Sequence, residues 1–552
     1  MPAGTLKIAT GCLPVLEVLV MSNGKSNHAR LVVLLCLIAS VSWIIAGCAG
    51  IRSSGSTASP SPSPSPSPSP SPSPSAVTGY LTWKNNNALT GLQPNETILT
   101  PANVNAAQFE LKFSDPVDGW AYAQPLYVAG LTIGGAKHNV VFVATEHDSV
   151  YAFDADSAGP PLWHRSFLGP GITTIPTAGN NLIPVQPEVG ITSTPVIDAA
   201  SGTLYVLAQT IENGVYANKL HALDIVSGAD KAGSPVVVSD VNFQAKQEFE
   251  RSALLLANGN VYVAFASYGD ILPYNGWVFA YNAASLAKVA SWNATAAGSE
   301  GGIWMSGAGP SADENGNIYV TTGNGTWNGT TDFGMSLVKL DATLHVVDYF
   351  TPFNEVVLDQ LDFGSSGALL VPDQSGAFPH EIIVCGKADP IYVVNRDSMG
   401  HKGTTSDSQI IQTLNNQLGG TSGPDADEHC FTTAAFFQQK VYFIGNNDVI
   451  KSFSLDAASG KLSTTPTSKG NFVFAFPGGQ AVVSSNGATN GIVWAVDFSV
   501  TSSLHAFDAM DVSRELYRSP SIGQAAKFAV PTVVNGKVYI DTKTKLVVFG
   551  LK

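Results

Sequence analysis

The chain has 552 residues, of which only 13% are charged, with 53 glycines and 33 prolines. That composition excludes a helical protein and favours a turn-rich, β-rich one, long enough for several domains or one large repeat assembly. The formal net charge of −14 comes with no basic stripe, which excludes a nucleic-acid partner and disfavours anionic lipid headgroups.

In chain order, the first readable pattern is an address. Lys25 and Arg30 precede the apolar run of residues 31–47, which ends in Ile45-Ala46-Gly47-Cys48. A basic start, an apolar middle and small residues before a cut site describe an export signal. With cysteine directly after Ala-Gly it resembles a bacterial lipoprotein signal, which implies lipidation of Cys48. Residues 1–20 are read as a doubtful extension, because Met21 opens a normal signal over residues 21–47. Alternating Ser-Pro over residues 59–75 cannot form helix or sheet. Residues 48–78 therefore read as a tether, whose Ser-Pro part extends about 50 Å. The expected location is the cell envelope, lipid-anchored, with the outer membrane preferred because Ala49 replaces the aspartate that often retains such proteins at the inner membrane.

From residue 107 onward a unit repeats. Its second strand is apolar-aromatic-apolar after a glycine-containing turn, with copies centred on Phe142, Tyr205, Tyr262, Tyr319, Ile383, Tyr442, Trp494 and Tyr539. A third strand follows, ending in Asp154, Asp224, Asp341, Asp397, Asp456 or Asp508, or in Asn282 in the third copy. These side chains are placed to bond backbone N–H groups of the next turn. The alternation has period two, which excludes helical solenoids, and four strands per unit specify a β-propeller. The fold class is all-β: an eight-bladed β-propeller within residues 79–552. It closes by pairing an N-terminal strand, residues 107–113, with the three C-terminal strands, which removes an exposed edge. Seven blades is the alternative if the copy at Ile383 or Trp494 is incomplete. Each meander then covers the apolar face of the next.

The third-strand turns, residues 152–163, 222–228, 395–400 and 454–460, resemble PQQ-binding-like, quinoprotein alcohol dehydrogenase-like propeller repeats. That resemblance implies either a PQQ- and calcium-dependent periplasmic dehydrogenase or a non-catalytic envelope lipoprotein. The dehydrogenases carry an adjacent cysteine pair against the cofactor and hold Ca²⁺ with Glu, Asn and Asp beside a catalytic Asp. This chain has no adjacent cysteines and no C-x-x-C-H haem motif. The reading taken is a non-catalytic, monomeric lipoprotein propeller that binds an envelope protein partner or an extracytoplasmic ligand, with no catalytic residue assigned. The alternatives are the dehydrogenase, with PQQ and calcium as cofactors, and a carbohydrate-binding surface propeller.

Propellers bind ligands at the axial mouth, and acids recur there. Glu188, Glu300, Asp362, Glu428 and the neighbouring His429 are the candidate metal ligands, with Asp118 in a similar position; the blander reading is a solvated ring of loop acids. Trp304, in a Gly- and Ser-rich stretch, is expected to pack between blades. Tyr268, Tyr274 and Trp277 read either as exposed stacking aromatics or as blade packing. Outside the leader, Cys385 and Cys430 either form a disulfide or stay apart.

Overall fold

The computed structural model describes residues 79–177, 185–358, 361–420 and 428–552. The export signal, the Cys48 lipidation site and the Ser-Pro tether lie outside the described residues.

Eight antiparallel meanders stand around one axis. Blade 1 is typical, with strands Leu126–Ile133, Ala136–Thr145, Ser149–Asp154 and Trp163–Ser166 running from the axis outward. The copies at Ile383 and Trp494 are complete four-stranded sheets, so the seven-blade alternative falls. Ring closure takes the form read from the two chain ends. Phe109–Pro116 pairs with Lys545–Leu551, from Phe109↔Leu551 to Pro116↔Lys545, and the C-terminal strands complete blade 8. The N-terminal strand runs three residues further than the sequence suggested.

All eight repeat centres lie in second strands at one register, opposite the first strand. Tyr205 faces Val196, Tyr262 faces Leu255, Tyr442 faces Ala435 and Tyr539 faces Thr532. Five of the eight centres are tyrosines, and all five are at most 1% exposed. Full burial of such a ring contributes roughly 1.5–3 kcal/mol. The hydroxyl must then find an acceptor, and the repeat supplies one. Tyr205 donates to Ala283 O at 2.7 Å, Tyr262 to Ala342 O at 2.9 Å, Tyr442 to Ala509 O at 2.7 Å and Tyr539 to Ala155 O at 3.1 Å. Each acceptor directly follows the Asp or Asn that ends the third strand of the next blade. That Asp or Asn in turn accepts from backbone N–H groups two or three residues on, as Asp224 does from Val226 and Ser227 and Asn282 from Ala284 and Ser285. In blade 5 the strand ends earlier, and Asn395 rather than Asp397 takes this role, accepting from Asp397 N.

Tyr268, Tyr274 and Trp277 are 3%, 2% and 5% exposed. They pack within and between blades, which corrects the stacking-surface alternative.

Residues 79–96 do not belong to a blade. Gly79–Tyr80 pairs with the first strand of blade 1, and Leu92–Gln93 runs parallel to the first strand of blade 7, Val482–Asn486. Between and beyond them, carbonyls of this segment accept from Ile197 N (2.9 Å), Ala312 N (2.8 Å), Leu370 N (2.9 Å), Phe436 N (2.9 Å) and Val483 N (2.7 Å), on blades 2, 4, 5, 6 and 7. Asn87 Nδ2 donates to Leu256 O on blade 3 (2.9 Å), and Glu96 Oε2 accepts from Gly536 N on blade 8 (2.9 Å). The segment touches every blade, at the innermost strand in blades 1 to 7 and at the turn that follows it in blade 8.

Candidate functional site: an axial pocket of mixed charge

At the end of the axis where first strands begin lies a cavity of about 220 Å³. Residues just ahead of first strands line it: Tyr122, Arg251, Ser306, Ser365, Phe431 and Phe528, with Trp304 and Lys527 beside them. Loops leaving second strands add Gly269, Asp270 and Lys387. Its size suits one small molecule, since it falls below the ~300–1,000 Å³ of larger ligand clefts.

One wall is an ion triad. Lys387 Nζ is 3.0 Å from Asp362 and 2.9 Å from Glu428. Burial works against the ammonium, but the two carboxylates outweigh it and hold its pKa above the ordinary value. Asp362 Oδ1 also accepts from Asn324 N at 3.0 Å. A Cβ on Gly323 would sit 2.7 Å from that oxygen and 3.2 Å from Trp304, so glycine is what lets the carboxylate and the indole approach one backbone. Asn324 Oδ1 is buried beside Asp362 with no hydrogen-bond partner among the described residues.

The facing wall carries Arg251, 5% exposed. Its guanidinium lies 5.6 Å from the Tyr122 ring and 5.2 Å from that of Phe528. Among the described residues it makes no hydrogen bond or ion pair. Behind it stand Glu146 and Glu250, both fully buried. Glu146 Oε2 accepts from Gly190 N and Thr192 Oγ1, while among the described residues its other oxygen and both oxygens of Glu250 lie outside hydrogen-bond geometry, with Ser193 the neighbour nearest to bonding Glu250. Burial, above all, pushes Glu146 up to about 8 and raises Glu250 well above the carboxylate range. Both acids hold a proton more tightly than a free carboxylic acid does, which weakens their hold on the Arg251 charge.

Of the acids singled out in the sequence, Asp362 lines the cavity and Glu428 joins it through Lys387. Glu188 instead pairs with His147 (3.0 Å) and Thr174 (2.6 Å), and Asp118 with Thr145 and Ser149. Glu300 shapes its loop by backbone bonds to Tyr274 and Gly276. His429 donates its backbone N–H to Lys387 O, and its ring packs on Gly419. Trp304 lines the cavity rather than serving only as packing. Arg251, Lys387 and Asn324 escaped the sequence reading, although an arginine heading the apolar run of residues 252–256 was a visible signal. Cys385 and Cys430 are joined by a disulfide with Cα atoms 6.1 Å apart. It ties the strand leading to Lys387 to the loop carrying Glu428 and Phe431. The one group of three acid or imidazole donors close enough to share an ion among the described residues is Glu314, Asp373 and His380, at the opposite face. There Arg396 already bridges Glu314 (3.2 Å) and Asp373 (3.4 Å).

No family model and no curated protein matches the chain. Solved structures do. Quinohemoprotein alcohol dehydrogenase from Comamonas testosteroni is 15% identical, covers 86% of this chain and 80% of its own, and superposes with a TM-score of 0.60. Quinohemoprotein alcohol dehydrogenase ADHIIG from Pseudomonas putida gives 13%, 86%, 80% and 0.59. A europium-containing methanol dehydrogenase gives 14%, 86%, 98% and 0.59. The chain therefore has the eight-bladed propeller fold of the quinoprotein dehydrogenases.

Proposed function

We propose that the protein is a quinoprotein-type oxidoreductase whose axial pocket holds a small, planar, anionic quinone cofactor of the PQQ class. The carrying observation is the buried, unpaired Arg251 guanidinium between Tyr122 and Phe528, facing the Asp362–Lys387 pair across an aromatic-lined cavity. A planar polycarboxylate satisfies that charge and stacks on those rings. The orphaned Asn324 Oδ1 beside Asp362 fits a hard cation, which takes oxygen donors, so calcium or a similar ion would be held there. When bound, the quinone supplies two-electron oxidation of an alcohol or a comparable donor. The chain's own residues bind and orient it: Arg251 takes a carboxylate, Lys387 fixes Asp362, and Asp362 is the base placed to accept the substrate proton. We further propose that it works in the cell envelope, tethered through Cys48.

Titration of the full chain with PQQ, with and without Ca²⁺, tests this by absorbance and tryptophan quenching. Arg251→Met is expected to weaken binding at least about tenfold, the scale of a lost charged hydrogen bond. Asp362→Asn is expected to keep binding but abolish dye-linked alcohol oxidation. Absence of PQQ binding by the unaltered protein at tens of micromolar, with or without the ion, overturns the reading and returns the protein-partner role to first place.

A further inference from the structure

We infer that residues 79–96 are an axial plug that makes the propeller's central channel a blind cavity, open at one mouth only. Eight innermost strands around an axis leave their inner edges unpaired, and such edges attract any available strand. Here the chain fills them from within.

The direction of the plug can be read from its pairing. Gly79 faces Val128 and Tyr80 faces Tyr127, antiparallel to a strand that starts at the pocket end. The segment therefore enters from the opposite face and climbs toward the pocket. It turns at Trp83–Asn85, where Lys84 N donates to Gln124 Oε1 at 2.8 Å, two residues after Tyr122 of the pocket wall. The Lys84 side-chain nitrogen, fully buried, donates to Thr433 O and Ala434 O, just past Phe431 of the same wall. The chain then returns, and Glu96 meets the Gly536 turn back at the opposite face. Trp83 and Leu89, 2% and 3% exposed, belong to the same apolar core as the blades. The plug's tip thus lies directly beneath the pocket.

Two consequences follow. The pocket's ligand enters and leaves on the Trp304 side. A polymer threaded along the axis is excluded, whereas a small molecule buried at one end fits. Gly79 itself lies at the mouth turned away from the pocket. None of this rests on the identity of the cofactor.

Hydrogen exchange on the full-length protein tests the plug without any ligand. The five amides that donate to plug carbonyls, from Ile197 to Val483, lie on five different blades. If one plug closes them all, they share one slow rate, that of global unfolding. In Gly91→Val all five are expected to exchange at least about tenfold faster, because Gly91 has φ +69° and a Cβ there would sit 3.3 Å from Ala435. Amides of the outer strand Glu515–Arg518 serve as the unchanged reference. Unrelated rates for the five in the unaltered protein would overturn the inference, as would acceleration confined to Val483. Should Gly91→Val fail to fold, the shared rate in the unaltered protein decides alone.

Discussion

At the scale of single residues, two buried acids hold their protons unusually tightly: Glu146 behind the pocket, and Glu248, which accepts from Asn275 N away from it. Glu146 and Glu248 are both pushed up to about 8, chiefly by burial, from an ordinary value near 4.5. Between those values the folded protein holds protons that the unfolded chain releases. Their contribution is complete below about 4.5 and is lost as pH rises toward 8. Melting temperature is therefore expected to fall across that window, and the fall to be shallower in Glu146→Gln, which circular dichroism melts at several pH values would show. The same titration reaches Arg251. Above about 8 the ionised Glu146 competes for the guanidinium, so affinity for an anionic ligand is expected to drop there in the unaltered protein and to stay level in Glu146→Gln. A pH-independent affinity in the unaltered protein would break the link between the two groups.

At the scale of elements, neighbouring blades are fastened by a repeated clamp. A strand-two tyrosine reaches the carbonyl that follows the turn-forming Asp or Asn of the next blade, as Tyr262 does at Ala342 and Tyr442 at Ala509. Removing one hydroxyl leaves a buried carbonyl short of a donor, at roughly 1–3 kcal/mol. Tyr262→Phe and Tyr442→Phe are expected to lower stability in denaturant unfolding by about that amount, and roughly additively because the sites share no partner. The sequence displayed both halves of this clamp, the aromatic after a glycine turn and the acid ending the next strand. It did not display their pairing across blades, because each hydrogen bond joins residues 67 to 384 positions apart. The aromatic loop of residues 268–277 shows the converse. In isolation its rings read either as exposed or as packed between blades, and only the neighbouring blade that buries them decides.

At the scale of the molecule, the ring is closed by two distant segments. Phe109 is 1% exposed and stacks 6.0 Å from Phe549, with Trp494 and Tyr517 at 5.7 and 5.1 Å. Phe109→Ala removes a large ring from the seam between first and last chain segments and is expected to cost about 3–5 kcal/mol. A loss below about 1 kcal/mol by chemical denaturation would mean that the seam holds without that ring, as a well-sealed ring with redundant contacts does.

Strand number, repeat length and ring closure were decided locally. Period-two alternation and recurrent turn chemistry are written into each short stretch, and an orphan strand at one end with three at the other permits one economical closure. The pocket was not decided locally. Tyr122, Arg251, Asp362, Lys387 and Phe528 belong to five different connections, and each alone reads as an ordinary loop residue. Only a closed ring brings those connections to one axis. Only burial at that axis strips the guanidinium of solvent, tightens the hold of Glu146 on its proton and turns scattered polar side chains into a site. The plug depended on the ring as well: residues 79–96 carry no strand pattern of their own, and the inner edges of the blades impose one.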